Sequence, residues 1–165
     1  MRKLFVVVML LGAFGLFAQF GIPAGTKEIG ILASIGDFLN TDAPLAIGYS
    51  VDAYGGYFLM DNLEGLLGVE VMKEGIDGAD TELAFKGGIY YHLLFSEAMG
   101  VFGGAWFGYW TAGEDNSGMY VPIDAGIEFF LSKSIGVRVF NRFTLELEEG
   151  VENSDNVVVA FFGIF

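Results

Sequence analysis

The chain has 165 residues, 53% of them hydrophobic and 18% charged, with 25 glycines, no cysteine and a formal net charge of −13. One domain fits that length. The high hydrophobic content excludes a disordered chain, the missing cysteine excludes disulfides, thiolate metal sites and thiol catalysis, and the acidic balance opposes nucleic-acid binding.

Met1-Arg2-Lys3 opens the chain with positive charge, and Leu4 to Phe17 is an uncharged apolar run with small residues (Ala13, Gly15, Ala18) towards its end. That is the layout of a secretory signal peptide, and the run is shorter than the ~20 residues a spanning helix needs. Residues 1–18 are therefore read as a leader and 19–165 as one exported domain, the alternative being an N-terminal membrane anchor. No later apolar stretch is long enough for a membrane helix.

Beyond the leader the recurring signal has period two. Eight segments carry it: 29–35, 45–59, 63–71, 83–95, 99–109, 119–131, 135–147 and 157–165. Their odd positions hold no charged residue, whereas their even positions hold Asp52, Glu64, Glu70, Lys86, Asp124, Glu128, Arg138, Arg142 and Glu146. Successive side chains of a strand point to opposite faces, so each segment has one apolar face and one mixed, ionic face. Short links centred on Asp61, Glu97 and Lys133 suit hairpins, and they alternate with longer polar links at roughly 36–44, 72–82, 110–118 and 148–156. Pro122 lacks a donor inside the sixth segment, which predicts a bulge there. The fifth segment has glycine at both parities, which leaves its facing open.

Alternation alone also fits a half-buried sheet in water. An eight-stranded barrel, however, is only wide enough inside for side chains to fill it. The uncharged face is too large for such an interior, so the odd positions are placed outside, in lipid, with the charges within. Closure follows, because an open sheet edge in hydrocarbon leaves backbone groups unpaired. The expected fold is an all-β, eight-stranded antiparallel up-and-down transmembrane β-barrel. Outward aromatics gather near the short-turn ends (Tyr57, Tyr91, Phe95, Phe129, Phe165), with Phe107, Tyr109 and Phe143 towards the other rim. Two interfacial girdles are typical of such barrels.

The last segment runs Val157-Val158-Val159-Ala160-Phe161-Phe162-Gly163-Ile164-Phe165. With Phe161, Gly163 and Phe165 on one parity, it resembles the C-terminal assembly signal of bacterial outer-membrane proteins, although Gly163 replaces the usual large apolar residue. Together with the leader and the strand number, the chain resembles the small eight-stranded barrels of the OmpA, OmpX and OmpW kind. The resemblance implies an outer-membrane location reached through the periplasm, with outer-membrane lipids and the barrel assembly machinery as partners.

Reading the register through the turn at Lys133 sets Glu128 opposite Arg138 and Asp124 opposite Arg142, which predicts an interior ion-pair network. An unpaired ion in a narrow lumen would cost several kcal/mol or recruit water, so a plug that sets register is preferred to an ion-selective constriction. The turn at Asp61 sets Asp52 opposite Glu70. Such a pair shares a proton, binds a cation, or is separated by Lys86, the arginines or water, the last being preferred. His92 is the one histidine. A barrel hydrolase would need a nucleophile beside it, and Ser96 and Glu97 are near only in sequence, so a structural histidine is preferred. No motif for a cofactor or metal is present. The long links are acidic (Asp37, Asp42; Glu74, Asp77, Asp80; Glu114, Asp115; Glu148, Glu149, Glu152, Asp155), which reads as a solvated rim with weak divalent-cation binding as the second reading. The function read from all this is a non-enzymatic outer-membrane barrel with a structural or surface role and a largely plugged polar interior. The alternatives are a narrow passage for small solutes, a lipid-modifying barrel enzyme and a soluble lipocalin-like carrier.

Overall fold

The computed structural model describes residues 20–35, 49–73, 81–112, 116–147 and 154–165. The leader read at 1–18 lies outside the described residues, and so do all the acidic link residues named above except Asp155.

Among the described residues eight strands form: β1 (Lys27–Ile35), β2 (Tyr49–Met60), β3 (Leu63–Lys73), β4 (Thr81–Ser96), β5 (Met99–Ala112), β6 (Asn116–Phe130), β7 (Ile135–Glu146) and β8 (Ser154–Ile164). Each pairs antiparallel with its sequence neighbours, and β1 pairs with β8 to close the barrel. Strands of 9 to 16 residues meet the ~9–11 that a tilted strand needs to cross a bilayer. The registers follow the hairpin reading: Glu128↔Arg138, Asp124↔Arg142 and Asp52↔Glu70 are direct cross-strand partners.

Two hairpins turn more tightly than expected. Asp61-Asn62 and Glu97-Ala98 are two-residue turns, each beside a one-residue register shift, at Phe58/Met60 and at Leu94/Ser96. Asn62 takes the left-handed backbone (φ 64), a conformation asparagine tolerates better than most residues. Pro122 produces no bulge. Ala105↔Ile123 and Gly108↔Tyr120 share one register, and the pairing is interrupted between them, so the missing N–H is met by a gap in the ladder and not by an inserted residue. Asp155, placed in the last polar link by its sequence, belongs to β8 and accepts a hydrogen bond from Asn141 Nδ2 at 2.6 Å on the outer face.

Parity holds around the barrel. Ile135 and Val139 are exposed, as are Leu67, Phe107, Phe161 and Phe165, while Arg138 is 1% and Arg142 7% exposed. The facing of the glycine-rich β5 is thereby settled: Phe102 and Trp106 are buried, Phe107 and Tyr109 are exposed. Leu93 is an exception, odd yet buried. In β8 both parities are apolar because Val158, Ala160 and Phe162 join the inner packing. The outer face is largely apolar, the opposite of what a soluble carrier presents to water.

A strap, residues 20–26, precedes β1 and crosses the short-turn mouth. Ile22 N donates to Asn62 Oδ1 (2.8 Å), Asn62 N to the Ile22 carbonyl (3.0 Å), and Gly25 N to the Phe58 carbonyl (2.8 Å). Its Ile22 is buried against Phe58 and Leu94, with Phe130 packed alongside. Nothing in the period-two pattern announces this element, because its own residues do not alternate.

Inward glycines are sites of close approach. A Cβ on Gly104 would run into the Ile89 carbonyl oxygen and the Tyr90 ring, whereas on its outward neighbour Gly103 the nearest atom is the Asp124 carbonyl at 3.6 Å. Overpacking costs about 1–3 kcal/mol. Gly104→Ala is expected to lower the urea midpoint of the folded chain in detergent micelles, and Gly103→Ala to leave it near wild type. Equal effects at the two positions would contradict the facing of β5.

Candidate functional site

The lumen is filled in layers. Starting from the short-turn mouth, the apolar group Ile22, Phe58, Leu94 and Phe130 comes first. Above it lies an ionic layer formed by Glu28 (β1), Tyr54 (β2), Glu64 (β3), His92 (β4), Glu128 (β6) and Arg138 (β7). An aromatic band of Tyr90, Phe102 and Phe140 follows, with Trp106 beside it. A second ionic layer towards the long-loop end holds Asp52, Glu70, Lys86, Asp124 and Arg142.

Arg138 organises the lower layer. Its Nη1 and Nη2 donate to the two oxygens of Glu28 (2.5 and 2.9 Å), its Nε donates to Glu128 Oε2 (3.2 Å), and Nη1 also reaches the Tyr54 hydroxyl (3.0 Å). Tyr54 in turn donates to Glu28 Oε1 at 2.7 Å. The guanidinium lies over the Phe162 ring at 4.2 Å and near Phe102 at 5.1 Å, which suits its planar, weakly hydrated charge. His92 lies between two carboxylates: Nδ1 is 3.1 and 3.0 Å from the two Glu128 oxygens, and Nε2 is 3.2 Å from Glu64 Oε2.

Arg142 does the equivalent above the aromatic band. Its Nε and Nη2 donate to the two oxygens of Asp124, both at 2.8 Å, the fork geometry that makes arginine pairs strong. Tyr90 also donates to Asp124, and Trp106 Nε1 donates to the Tyr90 hydroxyl (2.8 Å) and to Asp124 Oδ2 (3.1 Å). Lys86 contacts Asp52 and donates to Glu70 Oε2 at 2.9 Å, and Tyr120 reaches the same Glu70 oxygen at 3.4 Å. Lys86 thus separates the Asp52–Glu70 pair, the bland alternative among those the sequence left open, and Arg142 Nη1 adds a contact to Asp52 at 3.7 Å.

Of the expected inward ions, Asp52, Glu64, Glu70, Lys86, Asp124, Glu128, Arg138 and Arg142 are all buried. Glu146, at the end of β7, is half-buried and sits opposite Tyr120. The two cross-strand pairs do not form one four-residue network: each arginine anchors its own layer and finds further partners across the lumen. The alternation misses Glu28, because the segment read from residue 29 starts two residues inside β1, which begins at Lys27. Its even parity, two positions before Gly30, was the available signal. The hydroxyl and indole donors of Tyr54, Tyr90, Tyr120 and Trp106 were also missed, although all lie on even positions. Both His92 nitrogens face carboxylates, and the Ser96 hydroxyl instead accepts from Ala98 N at 3.2 Å in its turn, so the nucleophile that a hydrolase reading requires is not at the imidazole. Phe161 and Phe165 are exposed on the outer wall, and Gly163 lies between them opposite Ile29 and Ile135.

No protein-family model matches the chain, and no curated protein matches it in sequence. Solved structures do match in fold. Neisserial surface protein A superposes with a TM-score of 0.63 at 11% identity, over 89% of this chain and 100% of its own. Outer membrane protein H from P. aeruginosa gives 0.62 at 13% identity, over 86% and 100%. The N-terminal β-barrel domain of Pseudomonas aeruginosa OprF gives 0.60 at 14% identity, over 88% and 100%. The chain therefore has the fold of the small eight-stranded outer-membrane barrels.

Removing one partner of a buried ion pair costs about 3–5 kcal/mol, since the other charge is left uncompensated. Arg138→Ala is expected to lose that much in reversible urea unfolding, and Arg138→Lys to recover only part, because an ammonium cannot fork onto Glu28. A double-mutant cycle on Glu28 and Arg138 should return a coupling of roughly 0.5–3 kcal/mol. A coupling of zero would remove Glu28 from the network.

Proposed function

We propose that this chain is a non-enzymatic, integral outer-membrane barrel that serves a structural or cell-surface role and holds its lumen closed. The apolar exterior requires hydrocarbon around it, and the leader read at 1–18 directs export through the periplasm. Short turns face the periplasm in such barrels and longer loops face outward. The acidic links would then lie at the cell surface.

One observation carries the closed lumen. Glu28, Asp52, Glu64, His92, Asp124, Glu128 and Arg138 project inward, yet each is at most 1% exposed. A water-filled bore would wet the groups that line it. Here they touch one another and the aromatic band, and the strap seats Ile22 beneath them. The arrangement suits a rigid, plugged cylinder better than a passage for solutes.

Purified protein in planar bilayers is expected to show no sustained single-channel conductance. Steady unitary currents from the wild-type chain would replace the plug by a narrow pore. Arg142→Ala supplies a sharper comparison: it should destabilise the barrel, whereas a variant of unchanged stability that conducts would make this layer a gate.

The C-terminal strand belongs to the same proposal. Phe161, Gly163 and Phe165 are read as the signal presented to the barrel assembly machinery, with outer-membrane lipid as the final environment. Phe165→Asp is expected to reduce the fraction inserted into outer membranes in cells several-fold while leaving refolding in detergent intact. Loss of both would mean that Phe165 acts only in folding.

A further inference from the structure

Hydrogen-bond arithmetic at His92 leads beyond the closed lumen. Glu128 accepts from Arg138 Nε at 3.2 Å and faces Nδ1 of His92 through both oxygens. It is therefore the ionised acceptor, and Nδ1 carries the hydrogen that it accepts. A neutral imidazole protonated at Nδ1 has a bare lone pair at Nε2. That nitrogen lies 3.2 Å from Glu64 Oε2, also an acceptor if ionised. Two lone pairs at this distance, with both residues 0% exposed, repel each other without water to screen them.

We propose that the Glu64–His92 contact holds one buried proton, shared between Nε2 and Oε2, as a latch that keeps the lower ionic layer closed. It rests on the closed-lumen reading. The groups around His92 are Glu64 from β3, Glu128 from β6 and Arg138 from β7, with Glu28 from β1 and Tyr54 from β2 reached through Arg138. Tyr90 on its own strand and the rings of Phe58 and Phe102 complete the surroundings. Among these, Arg138 is the only permanent cation, set against the three carboxyl groups of Glu28, Glu64 and Glu128. Its contact to Glu64 is also its longest to a carboxylate here, 3.8 Å. Without the extra proton the layer holds three carboxylates against one guanidinium. With it, one negative charge is cancelled at the carboxyl group that Arg138 serves least. Gly56 leaves the room in which the Glu64 carboxyl sits, since a Cβ there would overlap Oε1.

The sign of the pH effect follows from proton counting. In the unfolded chain at about pH 8, free imidazole and carboxyl groups (reference values near 6.5 and 4.3) are both deprotonated. The folded chain then binds one more proton than the unfolded one, so stability must fall as pH rises through the range in which the latch loses its proton.

The chain contains a single histidine, so 15N-labelled imidazole in the wild-type protein gives an unambiguous pair of signals in micelles or bilayers. At about pH 8, where a free imidazole is neutral, two outcomes support the latch: both nitrogens as N–H, or Nδ1–H together with a protonated Glu64 carboxyl in the 13C spectrum. A neutral ring beside two ionised carboxylates overturns it. Glu64→Gln provides the independent arm, because its amide can donate to Nε2 without a titrating proton. The wild-type urea midpoint should fall on passing from neutral to alkaline pH, and that fall should be smaller in Glu64→Gln. A fall of equal size in both overturns the latch. Conductance with the proton in place would refute the closed lumen and leave the shared proton standing without a latching role, while electrical silence with an unprotonated contact would refute the latch alone.

Discussion

A strand in hydrocarbon can leave no backbone N–H or C=O without a partner, since each orphan costs several kcal/mol and no water is there to replace it. The rest of this molecule follows from that requirement. It forces β1 onto β8, and it leaves only two environments, lipid outside and a narrow lumen inside. Because side chains alternate along a strand, the same requirement sorts the residues by parity. Leu67, Phe107 and Phe161 go to the oil, and Arg138, Glu128 and Asp124 go to the axis. The interrupted ladder at Pro122 is tolerated because the register on either side remains continuous and the neighbouring β7 still pairs with it.

The lumen then inherits an electrostatic problem. Buried ions lose hydration worth several kcal/mol each, which only close partners and complete hydrogen bonding offset. The barrel answers with two layers, each built on one arginine whose fork takes both oxygens of a carboxylate: Glu28 for Arg138, Asp124 for Arg142. Tyr54 adds a second donor to Glu28 Oε1, and Tyr90 and the Trp106 indole add donors to Asp124 Oδ2. The aromatic band between the layers is apolar at its ring faces and polar at its edges. It therefore separates the two ionic groups while Tyr90 and Trp106 donate to Asp124 of the upper one. Small residues set opposite large ones complete the filling, as Gly104 does beneath Tyr90 and Gly136 beneath Phe162.

Much of this was legible in the sequence. The strand number, the outward parity, the two arginine pairs and the Asp52–Glu70 juxtaposition all follow from local alternation read through hairpin turns, and the folded chain reproduces them. Other features were not legible for physical reasons. Glu28 escaped because the end of a strand carries little periodicity, and the bond that identifies it joins residues 110 apart in the chain. The strap escaped because it is held by backbone groups, the turn side chains Asp61 and Asn62 and the single apolar anchor Ile22, which leave no repeating pattern of apolar residues. Two turns were read one residue too long because a bulge and a longer loop have the same sequence spacing.

What the sequence determined by itself is therefore one-dimensional: which side chains face lipid, which face inward, and which meet across a hairpin, since turn length and the period of two settle these locally. Closure decided the rest. Only when β1 meets β8 do Glu28, Glu64, Glu128 and His92 converge on Arg138, because curvature brings inward side chains of non-adjacent strands within hydrogen-bond reach, and no local pattern encodes which of them will meet.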